Sequence, residues 1–276
     1  MTAPALATES RRPLLSARRL SAVISHGYIW LCLFVFVMPF LALLGFSFAS
    51  PNGTNASQAF EYIITGFGDN LVWSLRVSAL AMVIDLVVSL PAAYALVRYP
   101  FPGKRLLFSA LTLPLYVPGA VIGISLVLTY TLTYHLSSSE WGLVLGMAVG
   151  TFPLMLTPIV VAMKDLPIVF EEAAECLGAT KWQTYWKIVF PLIGPGVGAG
   201  LLLCFIIVFN EYLVTLFIHP PGLVTAPLRV LNQIRTAGLA PSTAALAVMM
   251  QIISFAAVIL FFRFFGTRHL KGTYLL

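Results

Sequence analysis

The chain has 276 residues, of which 59% are hydrophobic and only 9% charged, with a mean hydropathy of +0.95. That composition excludes a water-soluble globular protein and makes the lipid bilayer the solvent to which most side chains answer. A formal charge of +6 would suggest nucleic acid in a soluble protein; here the basic residues must first be placed against a membrane, and no nucleic-acid partner is expected.

The chain opens with a basic arm over residues 1–27. Its SRRPLL stretch (Ser10 to Leu15) faintly resembles a twin-arginine export signal, but the apolar run starts well beyond it and is longer than a signal's, so an uncleaved first span is expected. A helix crossing a hydrocarbon core of about 30 Å needs roughly 20 mostly apolar residues, because its backbone polar groups must be satisfied within the segment. Six stretches qualify: Tyr28 to Phe48, Leu71 to Val97, Leu106 to Leu132, Leu143 to Met163, Gly196 to Ile218 and Thr243 to Phe265. The expected organisation is a first span and outer loop over 28–70, a five-span core over 71–266 containing a polar segment at 164–191, and a tail over 267–276. The fold class is therefore all-α and polytopic.

Several features along these spans invite a role. Asn52 and Asn55 stand in NGT and NAS sequons of the first outer loop, but these carry little meaning here and no role is expected of them. Asp85, in the middle of span two, is costly in lipid, at least about 2.5 kcal/mol unless it faces protein or water; it either lines a cation path or makes a packing contact. Arg76, nearer the outer end of the same span, is expected to snorkel or to pair with an acid. Pro114 and Pro118 should kink span three, and Gly142, Gly146 and Gly150 put two GxxxG steps on one face of span four. Gly194, Gly196, Gly198 and Gly200 superficially suggest a nucleotide turn, but no strand precedes them, so close helix packing is expected. Glu211, toward the outer end of span five, is flanked by polar Asn210 and Tyr212, and all three are substrate-path candidates. Arg229 and Arg235 fall in the outer loop before the last span. Cys32, Cys176 and Cys204 have no paired spacing and are expected to be free thiols.

Orientation follows from lysine and arginine. With the N-terminus inside, thirteen of the sixteen fall on the cytoplasmic side and only Arg76, Arg229 and Arg235 on the other, so both termini are expected in the cytoplasm. Gly103-Lys104 lacks the upstream glycine and following hydroxyl of a phosphate-binding loop, so nucleotide chemistry would have to come from another polypeptide.

The segment KDLPIVFEEAAECLGATKWQTYWKIVFPLIG is too charged for lipid and too apolar for a disordered linker. Asp165 is a plausible helix cap with Pro167 in the first turn, Glu171, Glu172 and Glu175 lie early in the helix, and Gly178 is a natural stop. Thr180 then caps a second helix running toward Pro191. Ala173 and Ala174 suggest a small-residue patch beside the apolar anchors Ile168, Val169, Phe170 and Leu177. The hairpin either docks into a groove of another protein or rests on the lipid surface.

Glu172-Ala173-Ala174, three residues, Gly178, nine residues, Ile188, one residue and Phe190-Pro191 resemble the EAA signature of ABC importer permeases, with Phe190 where a leucine is usual. The resemblance covers roughly Leu71 onward and implies the type I permease fold in a bacterial inner membrane. It implies a non-catalytic subunit whose coupling helix, at Glu172, Ala173, Ala174 and Gly178 with Ile188 and Pro191 completing the signature, docks on an ATP-binding cassette ATPase dimer. It also implies a second homologous permease and an extracytoplasmic solute-binding protein. ATP and Mg would be bound by the ATPase, with no cofactor or metal in this chain. PLYVPGAVIGISL, FNEYLVTLFI and APLRVLNQIR followed by PSTAA look most like polyamine-type permeases of the second-subunit kind; ferric iron, amino-acid derivatives and sugars are the alternative solutes. An ion-gradient transporter should show repeated halves, which are not seen. An intramembrane enzyme needs a partnered constellation, and His26, His135, His219 and His269 lie near span ends with no partner spacing.

Overall fold

A computed structural model describes residues 14–48, 56–134 and 139–266 of the chain. The sequons at Asn52 and Asn55, residues 1–13 of the basic arm, His135 and the tail from 267 lie outside them. Among the described residues every regular element is helical, as lipid demands of any span that is not a closed barrel.

The first helix, α1 (Leu14–Ser47), starts earlier than its apolar run predicts. None of its most apolar window is buried within the protein, and side chains on all sides are open, from Tyr28 at 68% to Phe36 at 73%. Each such side chain would cost about 1.5–3 kcal/mol in water, so a row of them is stable only against lipid. α1 leans on the protein chiefly through the last long helix, α12 (Pro241–Phe261).

The organising pair is α2 (Ala56–Arg98) and α5 (Glu140–Asp165). On α2, Ala81, Asp85, Ser89 and Ala93 recur at steps of four and are each at most 1% exposed. Such a stripe of small side chains lets a neighbouring helix approach closely. α5 lies against it, with Leu143, Met155, Leu156, Ile159 and Met163 fully enclosed. α5 is capped at its start by Ser139, whose hydroxyl accepts from the Gly142 N–H at 3.0 Å. Beside the start of α5, Arg76 of α2 pairs with Glu140 of α5 at 2.8 Å and stacks over Trp73.

Spans three and five are not the continuous rods that their hydropathy predicts. Span three is α3 (Lys104–Thr112) with a tight turn at Leu113–Tyr116, then α4 (Gly119–Thr129), and the two halves meet at 105°. The break falls at Val117, which is extended (φ −92°, ψ 127°), because Pro118 offers no N–H and excludes the helical region from the residue before it. The polar segment holds α6 (Val169–Cys176), α7 (Lys181–Thr184), a wide turn at Tyr185–Val189 and α8 (Phe190–Leu192). It bends by 67° at Ile193 into α9 (Gly194–Asn210). Span five therefore stops at Asn210, eight residues short of the predicted end, and is followed by the separate α10 (Leu213–Phe217). Counting each bent pair as one crossing, the described residues contain up to six spans.

The segment carrying Arg229 and Arg235, expected as an outer loop, is a helix, α11 (Ala226–Ala237). Asn70 and Ser74 of α2 hold its start through Val224 O at 2.6 Å and Ala226 N–H at 2.8 Å, and Arg229 lies over the Phe67 ring.

The glycines of α9 pack as their spacing predicts. A Cβ on Gly196 would stand 2.5 Å from Ala162 Cβ and 2.7 Å from Pro158 O, and one on Gly200 would meet Met155 at 2.8 Å, whereas Gly194 has open space. Gly196→Ala should therefore destabilise the purified protein by about 1–3 kcal/mol, as overpacking does, while Gly194→Ala should leave it within about 0.5 kcal/mol of the parent. Thermal unfolding in detergent checks both.

Candidate functional site

The polar segment forms an elbow outside the bundle of spans. Asp165 does not cap its first helix, contrary to expectation: it is the last residue of α5, and α6 begins only after a turn at Leu166–Ile168. Glu171 and Glu172 lie in the first turn of α6, where carboxylates offset the exposed N–H groups. The helix ends in a Schellman motif: Gly178 takes φ +88°, its N–H donates to Glu175 O at 2.9 Å and that of Ala179 to Ala174 O at 3.0 Å. A side chain at Gly178 would be strained by about 1–2 kcal/mol. Thr180 and Gln183 then form a reciprocal capping box at 3.0 and 3.3 Å that starts the return arm. Two sharp stops within a few residues make the elbow a defined shape.

Its faces differ from the expected small-residue patch. Glu172 and Ala173 are exposed, but Ala174 is buried against the body. Consecutive helical residues are turned by about 100° from each other, which points Ala173 outward and Ala174 at the body. Leu177 is 89% exposed, and Ile168, Val169 and Phe170 are at least half exposed, so the outward face is apolar and unpartnered in this chain. Ile188 is half-buried in the wide turn, and Pro191 is exposed in α8.

One group at the elbow was not foreseen from sequence. Glu171, next to the signature, is buried and meets Arg98, the last residue of α2, at 2.6 Å; Tyr94 donates to its other oxygen at 3.0 Å. The position of Arg98 at a span end and a run of three acids in the elbow were the available signals, but which acid turns inward depends on helix phase. Removing one partner of such a buried pair typically costs about 3–5 kcal/mol.

The substrate-path candidates separate into three places. Asp85 is enclosed between helices, where the Thr151 hydroxyl donates to it at 2.8 Å and Cys204 in turn donates to the Thr151 carbonyl at 3.5 Å. This is a packing contact between α2, α5 and α9. Glu211 sits at the C-terminal end of α9 in an extended conformation, and its Oε1 accepts from the N–H groups of Leu213 at 2.5 Å and Val214 at 3.2 Å. The carboxylate thus caps α10. It also borders a cavity of about 240 Å³ where the break of span three meets α5 and α9, with Gly119, Ile122, Gly146, Gly150 and Thr151 on its walls. Gly146 packs against Leu126, as the GxxxG spacing predicts, but Gly150 has no neighbour within 4 Å of where a Cβ would stand and opens onto the cavity. Asn210 and Tyr212, although adjacent in sequence, face elsewhere, into an apolar cavity of about 760 Å³ between α1, α9, α11 and α12. Asn210 there donates to Ile206 O at 2.8 Å and to Ser254 at 3.3 Å. No group of three or more potential metal ligands occurs among the described residues, and Cys32, Cys176 and Cys204 are free thiols.

Helical crossings, an external elbow and broken spans enclosing a small cavity define a polytopic membrane transport subunit, and comparison with known proteins gives its family. Residues 85–267 match the binding-protein-dependent transport system inner membrane component family, and the chain belongs to it. The molybdenum transport system permease protein ModB of Escherichia coli is 36% identical over 154 residues, covering 50% of this chain and 66% of that protein. The corresponding protein of Haemophilus influenzae is 32% identical over 205 residues, covering 68% and 88%. The sulfate transport system permease protein CysT of E. coli is 32% identical over 151 residues, covering 50% and 54%. The chain thus spans only about half to two thirds of the two E. coli relatives. Among solved structures, a bacterial ABC transporter involved in import of the acidic polysaccharide alginate aligns over 96% of this chain and all of its own, with a TM-score of 0.67 at 18% identity. The MetNI methionine ABC transporter aligns over 75% of this chain and 96% of its own, with a TM-score of 0.60 at 15% identity. These two establish the fold.

If Glu211 acts as a cap, Glu211→Gln, which keeps an oxygen for both N–H groups, should stay near parental stability and transport. Glu211→Ala should lose about 0.5–2 kcal/mol, the usual cost of a lost helix cap. Thermal unfolding and solute uptake measured on both variants distinguish this from a charge requirement, which would make Gln as harmful as Ala.

Proposed function

We propose that this chain is the membrane-spanning permease subunit of an ATP-driven importer, inserted in a bacterial inner membrane with both termini and the elbow in the cytoplasm. The carrying observation is the elbow: a helix stopped at Gly178 and followed by a capped return arm, held to the spans through Glu171 and Ala174 and offering Leu177, Phe170, Val169 and Ile168 to the outside. An exposed apolar face of this kind marks a surface for protein or membrane contact, and a cleft in an ATPase is the partner that family membership favours. The charge distribution supports the same sidedness.

In this reading the elbow seats in one subunit of an ATPase dimer, which binds ATP and Mg, and the chain itself catalyses nothing. Closure of the dimer would draw the elbow of this permease toward that of a second permease and turn the path outward; hydrolysis would reset it. A solute-binding protein outside would deliver the cargo and set most of the selectivity. Glu172, Ala173, Gly178, Ile188 and Pro191 would form the docking surface, while Ala174 would hold the elbow against the body.

For the solute, the relatives favour a tetrahedral oxyanion such as molybdate or sulfate over a polyamine, for which they give no support. The acids agree with that choice. Asp85 Oδ2 accepts from Thr151, and Glu211 Oε1 accepts from the backbone N–H groups of α10, so both carboxylates have structural partners that give them a task apart from a polycation. Proteoliposomes holding the complex and its receptor should accumulate radiolabelled sulfate or molybdate on addition of internal ATP, and spermidine should not compete. Uptake of spermidine with indifference to both oxyanions would overturn the solute assignment and leave the permease role standing. Gly178→Asp should insert normally but abolish ATP-driven uptake, because the strained stop would misplace the elbow; unchanged uptake would count against docking there.

A further inference from the structure

The inward face of the elbow carries a polar joint to which the docking role assigns no task. Glu171 Oε1 receives both Nε and Nη2 of Arg98 at 2.6 Å. Its Oε2 accepts from the Tyr94 hydroxyl at 3.0 Å, and Arg98 Nη2 donates further to Leu166 O at 3.0 Å. The two charged side chains are 11% and 7% exposed. Arg98 closes α2, Leu166 follows the last turn of α5 and Glu171 opens α6, so one guanidinium ties the ends of two spans to the start of the elbow. Tyr94 extends the tie to the return arm through an edge contact with the Tyr185 ring at 5.3 Å.

A surface ion pair would be a poor mechanical link, since solvent screens it and its side chains swing freely. This one is withdrawn from water, and each polar atom of the Glu171 carboxylate has a directed partner. Rotating α6 without moving α2 would leave a buried charge unpaired. Glu171 is buried whereas Leu177 is exposed, so a substitution at the joint leaves the exposed side chains of the docking face in place. Beyond it, α5 supplies Gly146, Gly150 and Thr151 to the 240 Å³ cavity, which gives displacement of α5 a direct consequence for the path.

We propose that Arg98, Glu171 and Tyr94 form the joint through which movement of the elbow is passed to α2 and α5, with Arg98 and Glu171 acting as positioning residues for coupling and not for docking or solute binding. The proposal rests on the reading that an ATPase grips the elbow. Its test uses the complete complex, with the ATPase that co-purifies with this chain and the receptor loaded with sulfate or molybdate. Failure of any ATPase to co-purify with the parent protein would sink the permease reading itself; the joint is tested only against an assembled parent complex.

In that complex, Glu171→Gln should still bind the ATPase and retain basal hydrolysis within about twofold, while the stimulation by loaded receptor falls by about tenfold, within the usual range of coupling between sites. Tyr94→Phe should give a smaller loss in the same direction. The double variant Arg98→Gln with Glu171→Gln removes the orphaned charge, and should recover the thermal stability that Glu171→Gln loses without recovering stimulation. Receptor stimulation within about twofold of the parent in Glu171→Gln, or stimulation that returns together with stability in the double variant, would show that the contact is only structural.

Discussion

The structure depends on one constraint: in hydrocarbon, a backbone N–H or C=O without a partner costs several kcal/mol. Helices satisfy that requirement internally, so irregular backbone survives only where protein shields it or where the chain has left the lipid. Both exceptions occur here. The break at Val117 lies against the cavity where span three meets α5 and α9, the break after Asn210 has N–H groups of the next helix taken up by the Glu211 carboxylate, and the turn at Leu166–Ile168 belongs to the elbow outside the bundle. Departures from regular helix thus locate the two regions with functional character, a small cavity within the spans and a docking face beyond them.

Between these regions runs a pair of helices that can act as a unit. The small-residue stripe of α2 allows α5 to lie close, Asp85 and Thr151 add a hydrogen bond midway, and Arg76 with Glu140 ties one end. At the other end Arg98 joins both to the elbow. Polar contacts therefore occur along the pair at its two ends and near its centre, while the intervening surfaces are apolar. α1 contrasts with this arrangement: it shares little surface with the rest and presents most of its length to lipid.

Much of this was legible in the sequence because hydropathy and signature spacing act locally. The long spans, the Gly178 stop, the Thr180 cap and the tight seat of Gly196 and Gly200 all follow from residue type within a few positions. What escaped depends on geometry between distant residues. Asn210 and Glu211 read as one polar cluster, yet the end of α9 sends them to different cavities. Ala173 and Ala174 read as one patch, yet helix phase turns one out and the other in. The Glu171–Arg98 pair joins residues 73 positions apart, and no local pattern marks which of Glu171, Glu172 and Glu175 turns inward. The break at Glu211 was hidden because the stretch beyond it, Leu213 to Ile218, is apolar enough to continue a span. The polyamine-like motifs find no support among the relatives, which include molybdenum and sulfate permeases.

The central claim is that the elbow stands on the cytoplasmic side and is covered by a separate ATPase. Cys176, exposed at the end of α6, reports on this without mutation, since Cys204 is buried and Cys32 is partly covered on the lipid-facing first helix. A membrane-impermeant maleimide applied to oriented vesicles measures it most directly. The account predicts that Cys176 is labelled in inverted vesicles stripped of the ATPase, is protected when the ATPase is restored, and is untouched in right-side-out vesicles. Labelling from the outer side, or labelling in inverted vesicles that the bound ATPase does not diminish, would contradict it.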